Sequence, residues 1–162
     1  MRREAAARIA LGGGETSVAT GVAVLDHLLL ELARAGGFEL RLEIAPDEPE
    51  AEVDAAGAAV GDALRPHLGR HGVGIVAAYE ALAMVVVDAS GQPLVASNAD
   101  LTSTKAGGLR TDLAAAFLKG LAEAAGLTIH VRLFEGQDSQ HVLEAIFRAL
   151  GVALADAWEG GS

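Results

Sequence analysis

The chain has 162 residues, no cysteine, and a formal net charge of −10 from 12 basic and 22 acidic side chains. The absence of cysteine excludes disulfides and thiolate metal sites, and the acidic balance argues against binding to the phosphate backbone of nucleic acids. A hydrophobic fraction of 51% excludes a disordered chain, and an aromatic fraction of 4% disfavours stacking platforms for single-stranded nucleic acid.

The first half of the chain predicts the element order β-β-α-β-α. We predict strands over 7–11 and 15–20, a helix over 21–35, a strand over 38–45 and a helix over about 50–68. Apolar and polar side chains alternate along 38–45, which is typical of a half-buried strand. The Gly36-Gly37 pair marks the end of the first helix.

The second half predicts the same order. We predict strands over 79–89 and 94–100, a helix over 111–125, a strand over 127–134 and a last helix over 139–158, with Ser139 as its N-cap. The repetition indicates an internal duplication with a boundary in the loop 69–72, where His71 is expected to face solvent. The fold class is therefore α+β. Its two repeats, 1–70 and 71–162, form one compact unit, each with a roughly four-stranded sheet and two helices on one face.

No segment is expected to cross a membrane. The longest apolar stretch, 73–87, is interrupted by Glu80 and falls short of the about 20 residues that a spanning helix needs. The first residues carry no apolar segment typical of a signal peptide. We therefore expect a cytoplasmic protein with neither membrane nor nucleic-acid partners, and the apolar excess indicates that some surface is buried between copies of the chain.

Imidazole and carboxylate side chains recur at the helix starts. In the last helix His141 and Gln140 lie three and four residues before Glu144, so the three share one face. The corresponding helix of the first half carries Glu50 and Asp54 at the same spacing. Such a set suits divalent ions such as Mn²⁺, whereas a His/Glu pair at this spacing is more often part of a solvated helix face.

Two further histidines are placed to join this set. His27 follows Asp26 on the first helix, and His130 lies on the polar face of the strand that precedes the last helix. Together with the helix starts, they form a set of imidazoles and carboxylates that is repeated once.

Five segments, in a common order, resemble the imidazoleglycerol-phosphate dehydratase family over nearly the whole chain. T-G-V-A-V-L-D-H-L at 20–28 resembles T-G-x-x-F-L-D-H-M. E-A-L at 80–82 followed by V-D-A-S-G-Q-P at 87–93 resembles D-E-A-L and V-D-x-S-G-R-P. T-I-H at 128–130 resembles T-L-H, and Q-H-V-L-E-A-I-F-R-A at 140–149 resembles H-H-x-x-E-A-x-F-K-A.

The resemblance implies a lyase of histidine biosynthesis that removes water from D-erythro-imidazole-glycerol 3-phosphate to give imidazole-acetol phosphate. The small phosphorylated imidazole substrate would meet up to two Mn²⁺ ions, which stabilise the charge that develops on its ring. The resemblance also implies self-association, from a trimer to a shell of twenty-four subunits.

The resemblance further assigns roles to individual residues. The implied metal ligands are His27, Glu50, Asp54, His130, Gln140, His141 and Glu144. The implied catalytic carboxylates are Glu4 and Glu80, and the implied substrate-phosphate ligands are Lys105 and Arg148.

Departures from the family pattern leave two interpretations open. The first H-H-x-x-E motif aligns with E-A-E-V-D at 50–54, Gln140 replaces one histidine, Gln92 replaces an arginine, and the C-terminal S-x-K-G segment has no counterpart. The first interpretation is an active dehydratase whose ligands form two clusters: His27, Asp54 and His141, and Glu50, His130, Gln140 and Glu144. The second is a catalytically degenerate homologue that keeps the fold and assembly and has a ligand-binding or regulatory role.

Overall fold

The fold is seen in a computed structural model that describes residues 5–12, 14–99, 105–106 and 109–159, with only the backbone for 105–106 and 109–111. The elements of the first half are β1 (Ala5–Leu11), β2 (Ser17–Ala19), α1 (Ala23–Gly36), β3 (Phe38–Ile44) and α2 (Pro49–Leu64), followed by a short 3-10 turn, Arg65–His67. Its sheet has the order β1-β3-β2, with β1 antiparallel and β2 parallel to β3. The apolar face of β3 is buried, as its alternation predicts.

The second half is longer. Its elements are β4 (His71–Ala78), β5 (Ala81–Asp88), β6 (Leu94–Ser97), β7 (Lys105–Ala106), β8 (Leu109–Arg110), α3 (Thr111–Ala125), β9 (Thr128–Glu135) and α4 (Ser139–Asp156). The main sheet has the order β4-β5-β9-β6, and β7 and β8 form a separate small ribbon. The α+β class with duplicated halves is confirmed, although the described part of the first sheet has three strands and the second has four.

The four helices lie between the two sheets. Helix α1 packs on α4 and α2 packs on α3, while α2 also covers β1 and α4 covers β4 and β5. Glycines allow the close helix contacts, because a Cβ atom at Gly57 would lie 2.7 Å from the carbonyl oxygen of Phe117, and one at Gly151 would overlap that of Leu32. The core therefore consists of both helix pairs and the inner faces of both sheets.

The strand predicted over 79–89 is present as β5, which begins two residues later, at Ala81. Strand β4 before it is not predicted, and Tyr79 and Glu80 form the turn between β4 and β5. Strand β4 is not recognisable in the sequence because it contains Gly72 and Gly74, and glycine weakens the pattern that predicts a strand. In the structure they let the backbone of α4 approach, because a Cβ at either position would overlap a carbonyl oxygen of α4.

The N-cap of α4 is also corrected. Ser139 is the first residue of the helix, and the carboxylate of Asp138 accepts the N–H groups of Gln140 at 2.9 Å and His141 at 3.2 Å. Asp138 thus satisfies two of the N–H groups that a helix start leaves unpaired. Among the described residues, no helix is long and apolar enough to cross a membrane.

Candidate active site

The packing of α1 on α4 joins two segments that lie far apart in the sequence. His27 Nε2 of α1 lies 3.1 Å from Glu144 Oε2 of α4, and Gln140 Nε2 donates to the same carboxylate oxygen at 3.1 Å. Glu144 is buried, whereas 46% of the His27 side chain is exposed. The cluster of His27, Gln140 and Glu144, which we call the α1–α4 cluster, is therefore open to solvent on its histidine side.

Two features of this cluster point to a ligand. Burial by itself would raise the pKa of Glu144, but the hydrogen bonds from Gln140 and His27 and the charge of Arg148 outweigh it and hold that pKa below its ordinary value. Gln140 Oε1 is buried and has no hydrogen-bond partner among the described residues. A buried acceptor without a donor is costly, so this oxygen is suited to a metal ion or a donor group.

Arg148 is held by protein groups. Its Nε donates to Glu31 Oε1 at 2.7 Å, its Nη1 donates to the carbonyl oxygen of Ala77 at 3.3 Å, and its Nη2 lies 3.8 Å from Glu144 Oε1. Glu31 of α1 is buried despite its charge. The guanidinium therefore links α1 to α4 and places a positive charge beside Glu144, which leaves few of its donors for a substrate phosphate.

His141 belongs to a separate cluster at the β4–β5 turn. Its Nδ1 lies 2.7 Å from Glu80 Oε1, and Glu80 Oε2 accepts the N–H groups of Asp138 at 2.9 Å and Gln137 at 3.3 Å. The bond from Asp138, followed by those from Glu80's own backbone and from His141, lowers the pKa of Glu80 to about 2. The hydrogen bond to Glu80 in turn raises the pKa of His141. Glu80 is thus an ionised hydrogen-bond acceptor at neutral pH.

His130 lies on the other side of the second sheet. Its neighbours on β9, Ile129 and Val131, are buried toward the helices, whereas His130 itself is exposed. Because successive side chains of a strand point to opposite faces, His130 points away from α4. Within one chain it does not meet the α1–α4 cluster.

The two predicted ligands on α2 lie on its exposed surface. Glu50 and Asp54 are both exposed, and Asp54 lines a groove between α2 and α3 together with Ala116 and Lys119. Glu4 lies outside the described residues, and Lys105 lies on β7, where only the backbone is described.

The predicted ligands therefore group differently from the sequence expectation within one chain. Glu144 meets His27 and Gln140, His141 meets Glu80, and Asp54 meets neither histidine. In the described part of the chain, no group of three or more His, Cys, Asp or Glu side chains has the arrangement of a metal site. The α1–α4 cluster contains one imidazole and one carboxylate. It is a candidate for part of a site because the unpaired amide oxygen of Gln140 adds a third possible ligand.

Sequence reasoning missed Glu31 and Tyr79. Glu31 lies four residues after His27, and Arg148 lies four residues after Glu144. Two such pairs on facing helices form a ladder of charged groups, and that spacing was the available signal. Tyr79 carried no signal because its strand was extended through the turn.

Comparisons with known proteins agree with this architecture. The family model described as imidazoleglycerol-phosphate dehydratase matches residues 20–154. A protein of that name from Clostridium botulinum (strain Kyoto / Type A2) is 36% identical over 155 residues, covering 90% of this chain and 79% of its own length. One from Desulforudis audaxviator is 36% identical over 167 residues, covering 96% of this chain and 85% of its own.

Solved structures give the same result. The imidazoleglycerol-phosphate dehydratase of Staphylococcus aureus subsp. aureus N315 superimposes with a TM-score of 0.86 at 32% identity, covering 98% of this chain and 95% of that one. The Pyrococcus furiosus protein, solved in complex with (S)-C348, gives a TM-score of 0.84 at 28% identity, covering 100% and 93%. The fold and clusters define an α+β protein with duplicated halves and an imidazole–carboxylate site between α1 and α4. The chain belongs to the imidazoleglycerol-phosphate dehydratase family.

Proposed function

We propose that this protein is a cytoplasmic imidazoleglycerol-phosphate dehydratase, a lyase that removes water from D-erythro-imidazole-glycerol 3-phosphate in histidine biosynthesis. The observation that carries the proposal is the α1–α4 cluster, where an imidazole and a buried carboxylate meet across two helices within the matched family region. Its ionised carboxylate and unpaired amide oxygen are suited to a cation, and its exposed histidine side gives access to a small substrate.

Mn²⁺ fits the donors of this cluster. His27 Nε2 and Glu144 Oε2 are 3.1 Å apart, close enough for both atoms to bind one ion. One imidazole, one carboxylate and one amide oxygen suit a borderline to hard cation better than a soft one. His27, Gln140 and Glu144 would hold the ion, which when bound supplies Lewis-acid stabilisation of charge on the substrate's imidazole.

The remaining ligands would come from a second copy of the chain. His130 faces away from the helices, so in a single chain it lies on a surface that another copy can approach. The same half presents exposed apolar side chains, including Val73, Ile75 and Phe134. A self-associated protein would bury these side chains and bring ligands from different copies together. Light scattering that finds a stable monomer at micromolar concentration would contradict this assembly.

The charged groups around the cluster have distinct roles in this proposal. Arg148 positions Glu144, and its donors are engaged by Glu31 and Ala77. Of the two predicted ligands of the substrate phosphate, Lys105 would therefore bind it. Glu80 orients His141 through the hydrogen bond at its Nδ1. Glu4 and Glu80 remain the carboxylates that the family resemblance implies for proton transfer.

The test is a dehydratase assay on the purified protein with D-erythro-imidazole-glycerol 3-phosphate, with and without added Mn²⁺, alongside metal analysis. We expect imidazole-acetol phosphate to form, and its formation to stop after chelation and resume with Mn²⁺. His27→Ala is expected to abolish activity, whereas His67→Ala, which removes a histidine stacked on Trp158 away from the site, is expected to leave it unchanged. A metal-loaded, folded protein without activity would favour the degenerate homologue.

A further inference from the structure

Tyr79 adopts a backbone conformation that its side chain does not favour. It is the one non-glycine residue with a positive φ, +56°, among the residues that the structure describes. It occupies the first position of the two-residue turn between β4 and β5, where a positive φ favours glycine. A bulky residue in such a conformation stores strain, which persists where the surrounding structure requires it.

The hydrophobic core does not account for this tyrosine. Tyr79 is 79% exposed, more than any other large apolar residue of the described chain. Its ring instead lies against the imidazole of His141, with ring centroids 4.4 Å apart and planes inclined by 31°. The strained turn therefore directs an aromatic ring to a candidate site residue.

The next residue of the turn holds the same imidazole. Glu80 Oε1 lies 2.7 Å from His141 Nδ1, and Glu80 Oε2 is fixed by the N–H groups of Asp138 and Gln137 just before α4. The imidazole thus meets an aromatic ring at one side and a carboxylate at one nitrogen. Its Nε2 is the ring nitrogen that Glu80 leaves for a ligand.

We propose that Tyr79 is a positioning residue that acts with Glu80 to fix the imidazole of His141 in one orientation, with Nε2 presented to a ligand. The proposal rests on the proposed function in that His141 serves the dehydratase site. Glycine would be more stable than tyrosine at this position of the turn. The contact of the ring with His141 explains why a tyrosine is present despite the strain.

Three substitutions separate the ring from the strain. Tyr79→Phe keeps both, Tyr79→Ala keeps the strain without the ring, and Tyr79→Gly removes both. We expect Tyr79→Gly to melt about 2–4 °C or more above Tyr79→Ala, because glycine accepts the positive φ. We expect kcat to fall about 10-fold or more in the Gly and Ala variants, with KM changed less, and to be retained within about twofold in Tyr79→Phe.

The orientation itself is measured in crystals of the metal-free wild type and the three variants. We expect one ordered His141 rotamer in the wild type and Tyr79→Phe, and several rotamers or weak side-chain density in the Gly and Ala variants. An unchanged, ordered His141 in Tyr79→Gly would overturn the proposal, as would full activity of that variant. A wild type without dehydratase activity would contradict the proposed function alone, since rotamer order and melting temperature are measured without substrate.

Discussion

The helix pairs α1–α4 and α2–α3 are equivalent in the duplicated fold but differ in side-chain content. Helices α1 and α3 can be aligned by the glycine that ends each of them in the left-handed conformation, Gly37 and Gly126. Helices α2 and α4 can be aligned by their first residues, Pro49 and Ser139. On this alignment the counterparts of His27 and Glu31 in α1 are Ala116 and Gly120 in α3. The counterparts of Glu144 and Arg148 in α4 are Asp54 and Ala58 in α2.

The structure shows the consequence of that difference. The four charged or polar groups of the α1–α4 pair contact one another, whereas their four counterparts line an open groove between α2 and α3. The fold therefore supplies two equivalent positions, and only the side chains of one pair assemble a site within the chain. Function in this molecule is a property of that set of residues and not of the repeated architecture.

The largest expected effect comes from Glu144 compared with its counterpart Asp54. Glu144→Gln removes the charge that both His27 and Gln140 face, so we expect kcat/KM and Mn²⁺ affinity to fall by about 100-fold or more. Asp54→Asn should change both less than about threefold, since Asp54 meets neither histidine. Metal titration and steady-state kinetics measure this. Equal losses would mean that the first half supplies a ligand to the site of another copy.

The next effect concerns Glu31. Glu31→Ala leaves the guanidinium of Arg148 without its 2.7 Å partner, so we expect the free energy of unfolding to fall by about 1–3 kcal/mol. Urea denaturation measures it, with Glu31→Gln as the control that keeps the side-chain size. If the alanine variant is as stable as the wild type, Arg148 does not hold α1 on α4.

Substitution of glycine in the α2–α3 pair should have opposite effects at two facing positions. Gly57→Ala should lower the free energy of unfolding by about 1–3 kcal/mol, because the added Cβ would lie 2.7 Å from the carbonyl oxygen of Phe117. Gly120→Ala should raise it by about 0.5–1 kcal/mol, because its Cβ would meet Gly57 Cα at an ordinary 3.5 Å and alanine favours the helix. Effects of the same sign would contradict this packing.

The smallest effect is the pH dependence that Glu80 and His141 contribute. The lowered pKa of Glu80 stabilises the fold above its ordinary value of 4.5, and this stabilisation is lost as the pH falls toward about 2. The raised pKa of His141 stabilises the fold below its ordinary value of 6.5, and this is lost as the pH rises through the raised value. Glu80→Gln should therefore lower the melting temperature most between pH 4.5 and 6.5. A difference that is constant with pH would contradict the ion pair.

Most of the fold could be predicted from local patterns. The alternation in β3 and β9, the helical spacing in α1, α3 and α4, and the glycines that end α1 and α3 each gave an element close to its observed position. Strand β4 could not be predicted, because Gly72 and Gly74 read as loop residues until the approach of α4 is known. A local pattern does not contain the tertiary contact that makes glycine suitable there.

The candidate site was predictable in composition but not in grouping. Spacing within α4 correctly placed Gln140 and Glu144 together, because that contact is local to one helix. The contact between Glu144 and His27 depends on how α1 crosses α4, so it is not predicted by a sequence that groups His27 with Asp54 and His141. The position of Glu80 beside His141 likewise depends on a turn that the sequence did not reveal.

The most direct test is a crystal structure of the protein soaked in Mn²⁺, with anomalous scattering recorded to locate the ion. We expect Mn²⁺ bound to His27 and Glu144 in the α1–α4 cluster, with Gln140 as a further ligand and no ion beside Asp54 in the groove between α2 and α3. Mn²⁺ bound beside Asp54, or an α1–α4 cluster in which His27 and Glu144 keep their direct contact and bind no ion, would contradict it.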